Sequence, residues 1–495
     1  MQWLALPLVL IAPYLRSSLF SPSPCANLAI LLPDKVFFPD SETYAASQRS
    51  YFALQEQQLA PACIVIPSSV EDVSVAVKTL ADLPDSTFAI RSGGHSSVPG
   101  AANAHTGVTI DLHRLNDIHM NGDVVSIGSG ALWTDVYDVL VPRGLAVVGG
   151  RTGNVGVGGL LTGGGLSAFS PHRGFACDNV VEMQVVLASG AIITSNTTHH
   201  PDLFAALKGG QNNFGVITRF DLATFPQADL WAGAIVYPAS VDAAQLDAFR
   251  LFKNASAQAF DPHAQVELSF LFESREDSLA AYTSNNMFYT KPVVDAAALR
   301  VFSDIQPQMF SSMRVSNLSD FARELANSQP VGQFSIYATT TVRLSYTILP
   351  RIYEIWKNFT RNRMSSIPYL LSALTIQALP PIIPTSPNVL GFAPGTHPET
   401  DFVLLLVSNY WSDPAYSATM SSHTRALIEE IDAAAQSEGV SERFRYMNYA
   451  DQWQGVLESY GRESVHELWR VSRKYDPQGV FQKKVPGGFK LPKAP

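Results

Sequence analysis

The chain has 495 residues, 46% of them hydrophobic and 16% charged. That describes a folded protein too large for one core and excludes a disordered or fibrous one. Its 34 basic and 43 acidic residues leave a formal charge of -9, and without a basic excess nucleic acid is not expected as a partner.

The N-terminus is apolar from Trp3 to Leu15, too short to span a bilayer, and small and turn-forming residues follow from Ser17 to Pro24. This predicts an export signal over residues 1–24, although no Lys or Arg precedes the apolar run. Sequons at Asn196, Asn254, Asn317 and Asn358 agree with a secreted, N-glycosylated protein without stable membrane association. Cys25 and Cys63 lie outside the glycine-rich core and could pair in an oxidising compartment, whereas Cys177, in Gly-Phe-Ala-Cys, reads as a buried thiol.

From residue 60 short apolar runs alternate with amphipathic ones. Strands are predicted at Cys63–Ile66, Phe88–Ile90, Val108–Leu112, Val124–Ile127 and Leu145–Val148. A helix is expected from Val70, its start marked by capping-box spacing from Ser68 to Glu71, and another from Trp133. Val180–Ala188, Ser189-Gly190 and Ala191–Thr194 read as a hairpin. Residues 60–226 are thus expected to form an α+β domain. Beyond residue 230, Val266, Leu268, Phe270 and Phe272 alternate with Gln265, Glu267 and Ser269, the mark of a half-buried strand. Phe334–Val342, Leu374–Leu379 and Phe402–Val407 are similar, with helical stretches and a proline-rich link at 380–387 between them. A second domain with an antiparallel sheet covered by helices follows. The tail from Tyr446 ends in a helix with Val465, Leu468 and Trp469 on one face and Val471 near its edge. No internal repeat and no metal-ligand cluster is found.

About half the positions from Gly149 to Gly165 are glycine. Such a run lets backbone N–H groups approach a ligand closely, and its interleaved apolar residues argue against a mere flexible linker. It fits neither the Rossmann fingerprint nor a Walker A loop. Arg91-Ser-Gly-Gly-His95-Ser96 follows a strand directly and could form an anion-binding nest. His95 by itself would be structural more often than chemical.

Together these segments resemble the FAD-binding domain of the vanillyl-alcohol-oxidase superfamily, from about Cys63 to Phe225. The likeness includes Pro67-Ser-Ser-Val-Glu-Asp-Val, Gly174-Phe-Ala-Cys-Asp-Asn-Val and Asp202-Leu-Phe-Ala-Ala-Leu-Lys-Gly-Gly-Gln-Asn-Asn-Phe-Gly-Val. Tyr446-Met-Asn-Tyr-Ala-Asp, Tyr460-Gly and Lys474-Tyr-Asp-Pro-Gln-Gly-Val-Phe are similar to the C-terminal signature of its berberine-bridge-enzyme-like branch. The resemblance implies an α+β fold with a two-subdomain PCMH-type FAD-binding domain at 25–228 (core 58–228). A substrate domain at 229–435 and a returning C-terminal segment at 436–495 would complete it.

The implied cofactor is FAD, bonded through its 8α-methyl to His95. Arg91, Ser92, Gly93, Gly94, Ser96 and Ser97 would hold the pyrophosphate. Gly153, Val155, Gly156, Gly159, Gly163, Gly164, Gly215, Val216, Ile217, Tyr446 and Asn448 would line the flavin. Many members add a second bond from a cysteine; Thr152 stands at that position, so single attachment is expected. Tyr449 matches the catalytic base of several members, and Gln377 is expected to face the flavin from the substrate domain. The implied partners are a small organic substrate and molecular oxygen, since valine at position 155 resembles the oxidase type. Two alternatives stand beside simple oxidation of an alcohol, amine or biosynthetic intermediate: oxidative or redox-neutral ring closure, and a non-catalytic secreted flavin-binding protein.

Overall fold

The computed structural model describes residues 23–253, 260–275, 278–380, 387–392 and 402–493. Residues 1–22, Asn254 and most of the proline-rich link lie outside them.

Three sheets organise the chain. The first contains β1 (Val36–Phe37), β2 (Cys63–Val65), β3 (Phe88–Arg91) and β4 (Val108–Asp111), in the order β1-β2-β4-β3. Strands β2, β4 and β3 are parallel, with the helix Val70–Asp82 crossing from β2 to β3. The cap of that helix sits one residue later than expected. Ser69 Oγ accepts from Asp72 N at 3.2 Å and the Asp72 carboxylate accepts from Ser69 N at 3.1 Å, because Asp72 is turned inward towards Lys35 while Glu71 is exposed. Cys25, on the helix Pro24–Leu31, is disulfide-bonded to Cys63 at the start of β2, and Cys177 is free and buried.

The second sheet is antiparallel. It contains β5 (Ile118–Asn121), β6 (Val124–Gly128), β8 (Val180–Val186), β9 (Ile192–Asn196) and β10 (Val216–Ala223), in the order β5-β6-β10-β8-β9. The expected strand at 145–148 shrinks to β7 (Leu145–Ala146), paired with β11 (Phe225–Pro226), before the chain enters the glycine run. The hairpin of β8 and β9 forms as expected, with Val186 opposite Ile192 and Gly190 at φ +82° in its turn.

The third sheet is antiparallel and has nine strands. They are β12 (Leu230–Pro238), β13 (Ala264–Arg275), β14 (Ser278–Tyr289), β15 (Phe310–Ser311), β16 (Arg314–Ser316), β17 (Phe334–Arg343), β18 (Leu371–Ala378), β19 (Phe402–Trp411) and β20 (Ser441–Glu442). The order is β15-β12-β14-β13-β18-β19-β17-β20, with β16 also on β12. Alternation along β13 sends Val266, Leu268, Phe270 and Phe272 into a core with Tyr353, Trp356 and Leu427 from the helices Ile348–Phe359 and Ser417–Ser437. With a period of two, Glu267, Ser269 and Leu271 must then face the other way, towards the first two sheets. The tail helix Arg462–Tyr475 buries Leu468, Val471 and Ser472. Its inner face is therefore rotated towards Val471, because Trp469 lies at the rim, donating to the Pro492 carbonyl at 2.9 Å.

Of the described sequons, Asn196 donates to Glu182 at 2.9 Å, Asn317 caps the helix Leu318–Ser328, and Asn358 is exposed. No described helix is long and apolar enough to cross a membrane.

Candidate active site

The polar face of the nine-stranded sheet roofs a cavity of about 450 Å³, whose floor is the loop after β3 and the glycine run. Ser92 stitches that floor together. Its Oγ donates to the Ser129 carbonyl, just past β6, at 2.6 Å and accepts from Gly158 N at 3.2 Å. The two loops cross so closely that a Cβ on Gly93 would stand 2.5 Å from Gly156 N, and one on Gly156 2.3 Å from Gly93 N. Glycine is required at both positions by contact, not by conformation.

His95 lines the cavity and stacks on Phe52, ring centroids 4.0 Å apart. Its Nε2 lies 2.8 Å from Gln329 Oε1. Burial pushes its imidazole below the ordinary range, against the opposing bond to Gln329, which keeps it neutral.

At the other end stands a buried polar cluster. Arg151 Nη1 reaches Glu267 Oε1 at 2.6 Å and Gln377 Oε1 at 2.7 Å, and Nη2 donates to Tyr449 Oη at 2.8 Å. Gln377 Nε2 also donates to Tyr449 Oη, at 3.1 Å. Glu267 and Gln377 are direct neighbours across β13 and β18, and Asn286 on β14 donates to Glu267 at 3.3 Å. Burial would lower the Arg151 pKa, but Glu267 and Tyr449 outweigh it and hold the guanidinium charged. For Tyr449, sequence reasoning expects a nearby positive group to lower the phenol. That group is present, yet burial comes first and Glu267 adds to it, so the pKa is raised above 10 despite Arg151 and Gln377.

Of the residues expected at the site, Ser92, Gly93, Gly94, His95, Ser96, Ser97, Val155, Gly156, Gly159, Gly215, Val216, Ile217, Gln377, Tyr446, Asn448 and Tyr449 all line this one cavity, as does Thr152. Four do not. The Arg91 side chain turns into the first subdomain, donating to Ser47 and Ser50 beside Asp111. Gly153 packs on Ala322, Gly163 makes room for Asn448, and Gly164 packs on Phe175. Arg151 and Glu267 were not anticipated. Arg151 is the one charged residue between Gly149 and Gly165, a signal that sequence reading could have used; Glu267 carried none beyond its polar place in an alternating strand.

The floor suits a dinucleotide. A Cβ on Gly159 would stand in open space in the cavity wall, and Ser129 Oγ is buried in that wall without a partner. Residues 61–196 match a family described as FAD binding domain. FAD-dependent monooxygenase drtC of Aspergillus calidoustus is 35% identical over 478 residues, covering 93% of this chain and 88% of that protein. The chain belongs to the same family of FAD-linked oxidoreductases as this FAD-dependent monooxygenase. Among solved structures, 6-hydroxy-D-nicotine oxidase from Arthrobacter nicotinovorans matches with a TM-score of 0.76 at 21% identity, covering 92% of this chain and 97% of that one. Berberine bridge enzyme from Eschscholzia californica matches with a TM-score of 0.73 at 17% identity, over 95% and 99%. These two share the fold. As a member of this family the protein is an FAD-dependent oxidoreductase.

Proposed function

We propose that this berberine-bridge-like protein carries FAD bonded to His95 and oxidises a small organic substrate, with Tyr449 taking the substrate's proton. The observation that carries the reading is the position of Tyr449 Oη. It faces the same cavity as the His95 loop and receives hydrogen bonds from Arg151 and Gln377. No described residue accepts its own proton. Bound FAD supplies the hydride acceptor and returns the two electrons to oxygen, giving hydrogen peroxide.

The chain's own groups do the rest. Loss of the phenolic proton leaves an oxygen already held by two donors, so the base needs no rearrangement to act. Arg151 supplies the compensating charge, and Glu267 keeps Arg151 fixed on the sheet. Neutral His95 keeps a lone pair on one ring nitrogen, which suits an attachment residue. Thr152 cannot form a thioether, which supports a single link. The disulfide and the sequons support passage through the secretory pathway.

Acid precipitation tests the attachment. The wild-type pellet should stay yellow, its flavin peptide should contain residues 91–97, and H95A should release all its flavin. Free flavin from the wild type, or a second link at a cysteine, sinks the reading.

A further inference from the structure

We propose that the site selects an uncharged, elongated and largely apolar substrate, and discriminates against cations, carboxylates and sugars. This rests on the reading of the cavity as the place where substrate is oxidised.

Charge is the first argument. Among the described residues lining the cavity only Arg151 and Glu267 are charged, and they are paired with each other at 2.6 Å. Arg151 is further engaged by Gln377 and Tyr449, and Glu267 by Asn286. An ammonium or carboxylate on the substrate would enter a cavity with no free counter-charge to replace the hydration it gives up.

The second argument is the state of the roof's polar groups. Ser269 Oγ and Thr375 Oγ1 bond to each other at 2.8 Å, and the hydroxyls of Tyr337 and Tyr410 lie 2.5 Å apart. Between these pairs stand Leu271, Ala373, Leu406 and Leu371. A molecule dense in hydroxyls would find few partners and leave most of them unsatisfied.

Shape is the third. Gln377, Thr375, Ala373 and Leu371 line the roof in succession along β18. At a rise of about 3.3 Å per residue they span about 20 Å, from the Tyr449 cluster to the aromatic group of Phe52, Tyr337 and Tyr410. An elongated molecule fits this strip, with its reacting end at Tyr449.

The test is calorimetric titration of the purified holoenzyme with three probes of one size, 2-naphthalenemethanol, 2-naphthylmethylammonium and 2-naphthoate, and with cellobiose. The neutral alcohol should bind, with each charged probe weaker by on the order of tenfold or more, and cellobiose should give no saturable heat. Equal or tighter binding of a charged probe, or saturable cellobiose binding, overturns the proposal. So does failure of the alcohol to bind. L406K adds a cation to the roof and should move the preference towards 2-naphthoate; an unchanged order overturns the assignment of the roof as the selecting surface. Calorimetry reads binding whether or not turnover occurs. Colourless protein or unlinked flavin would count against the proposed function and leave this result readable.

Discussion

Tyr449 receives two hydrogen bonds, yet its phenol titrates above the ordinary value because burial and Glu267 outweigh Arg151 and Gln377. A base with a raised pKa is mostly protonated near neutrality, so the anaerobic rate of flavin reduction should rise about tenfold per pH unit through the neutral range. No plateau is expected below pH ~10. E267Q removes a carboxylate that raises the phenol and should move this limb to lower pH, which stopped-flow at several pH values will measure. Y449F should slow flavin reduction by roughly 10²–10⁴ and cost about 0.5–1.5 kcal/mol of stability. Reoxidation by oxygen should be unchanged. Reduction at the wild-type rate would show that Tyr449 only packs. The tyrosine was legible from its C-terminal motif. The direction of its shift was not, since Glu267 lies 182 positions away in the chain and becomes a neighbour only through the sheet.

The disulfide acts at the level of elements. Cys25–Cys63 closes a loop of 38 residues and ties the helix Pro24–Leu31 to the first sheet, where Leu28 and Leu32 pack with Val73, Val77 and Phe88. C25S should lower unfolding stability by about 2–4 kcal/mol in urea. Flavin retention should survive, because the His95 loop is held by its own bonds to Ser129, Gly158 and Gln329. An unchanged urea midpoint would show that the helix docks without the bond. Element types were mostly readable because periodicity of two or 3.6 residues is local. Their ends shifted where a neighbour decided them, as with the cap at Ser69 and the inner face of the tail helix.

For the whole molecule, buried carboxyls set a pH dependence of stability. Glu56 is fully buried, accepts from Gly100 N and Ala102 N, and is pushed up to about 7 by burial. Asp451 is likewise pushed up to about 6 by burial. A carboxyl raised in the folded state holds its proton where the unfolded chain has lost it. Stability should therefore fall as pH rises between about 4.5 and 7, by up to about 3 kcal/mol for Glu56. Urea midpoints should be higher at pH 5 than at pH 8, and E56Q should flatten that difference. A wild type more stable at pH 8 would contradict the assignment. Glu56 also holds the segment after the His95 loop through Gly100 and Ala102, so its titration reaches the floor of the site.

The sequence alone determined the floor of the cavity. Backbone N–H groups presented by glycine runs, and the histidine in the loop after β3, are properties of contiguous segments and can be read without a fold. It also determined the alternation of β13, which made one face of the nine-stranded sheet apolar and the other polar. Only the tertiary structure decided what the polar face meets. Glu267, Arg151, Gln377 and Tyr449 come from four separate segments, and their charges and hydrogen bonds are satisfied by one another and by Asn286 on β14. Arg91 lies in the recognisable loop, yet its side chain turned away to Ser47 and Asp111, because a buried guanidinium follows the nearest acceptors, and those are set by packing across distant parts of the chain.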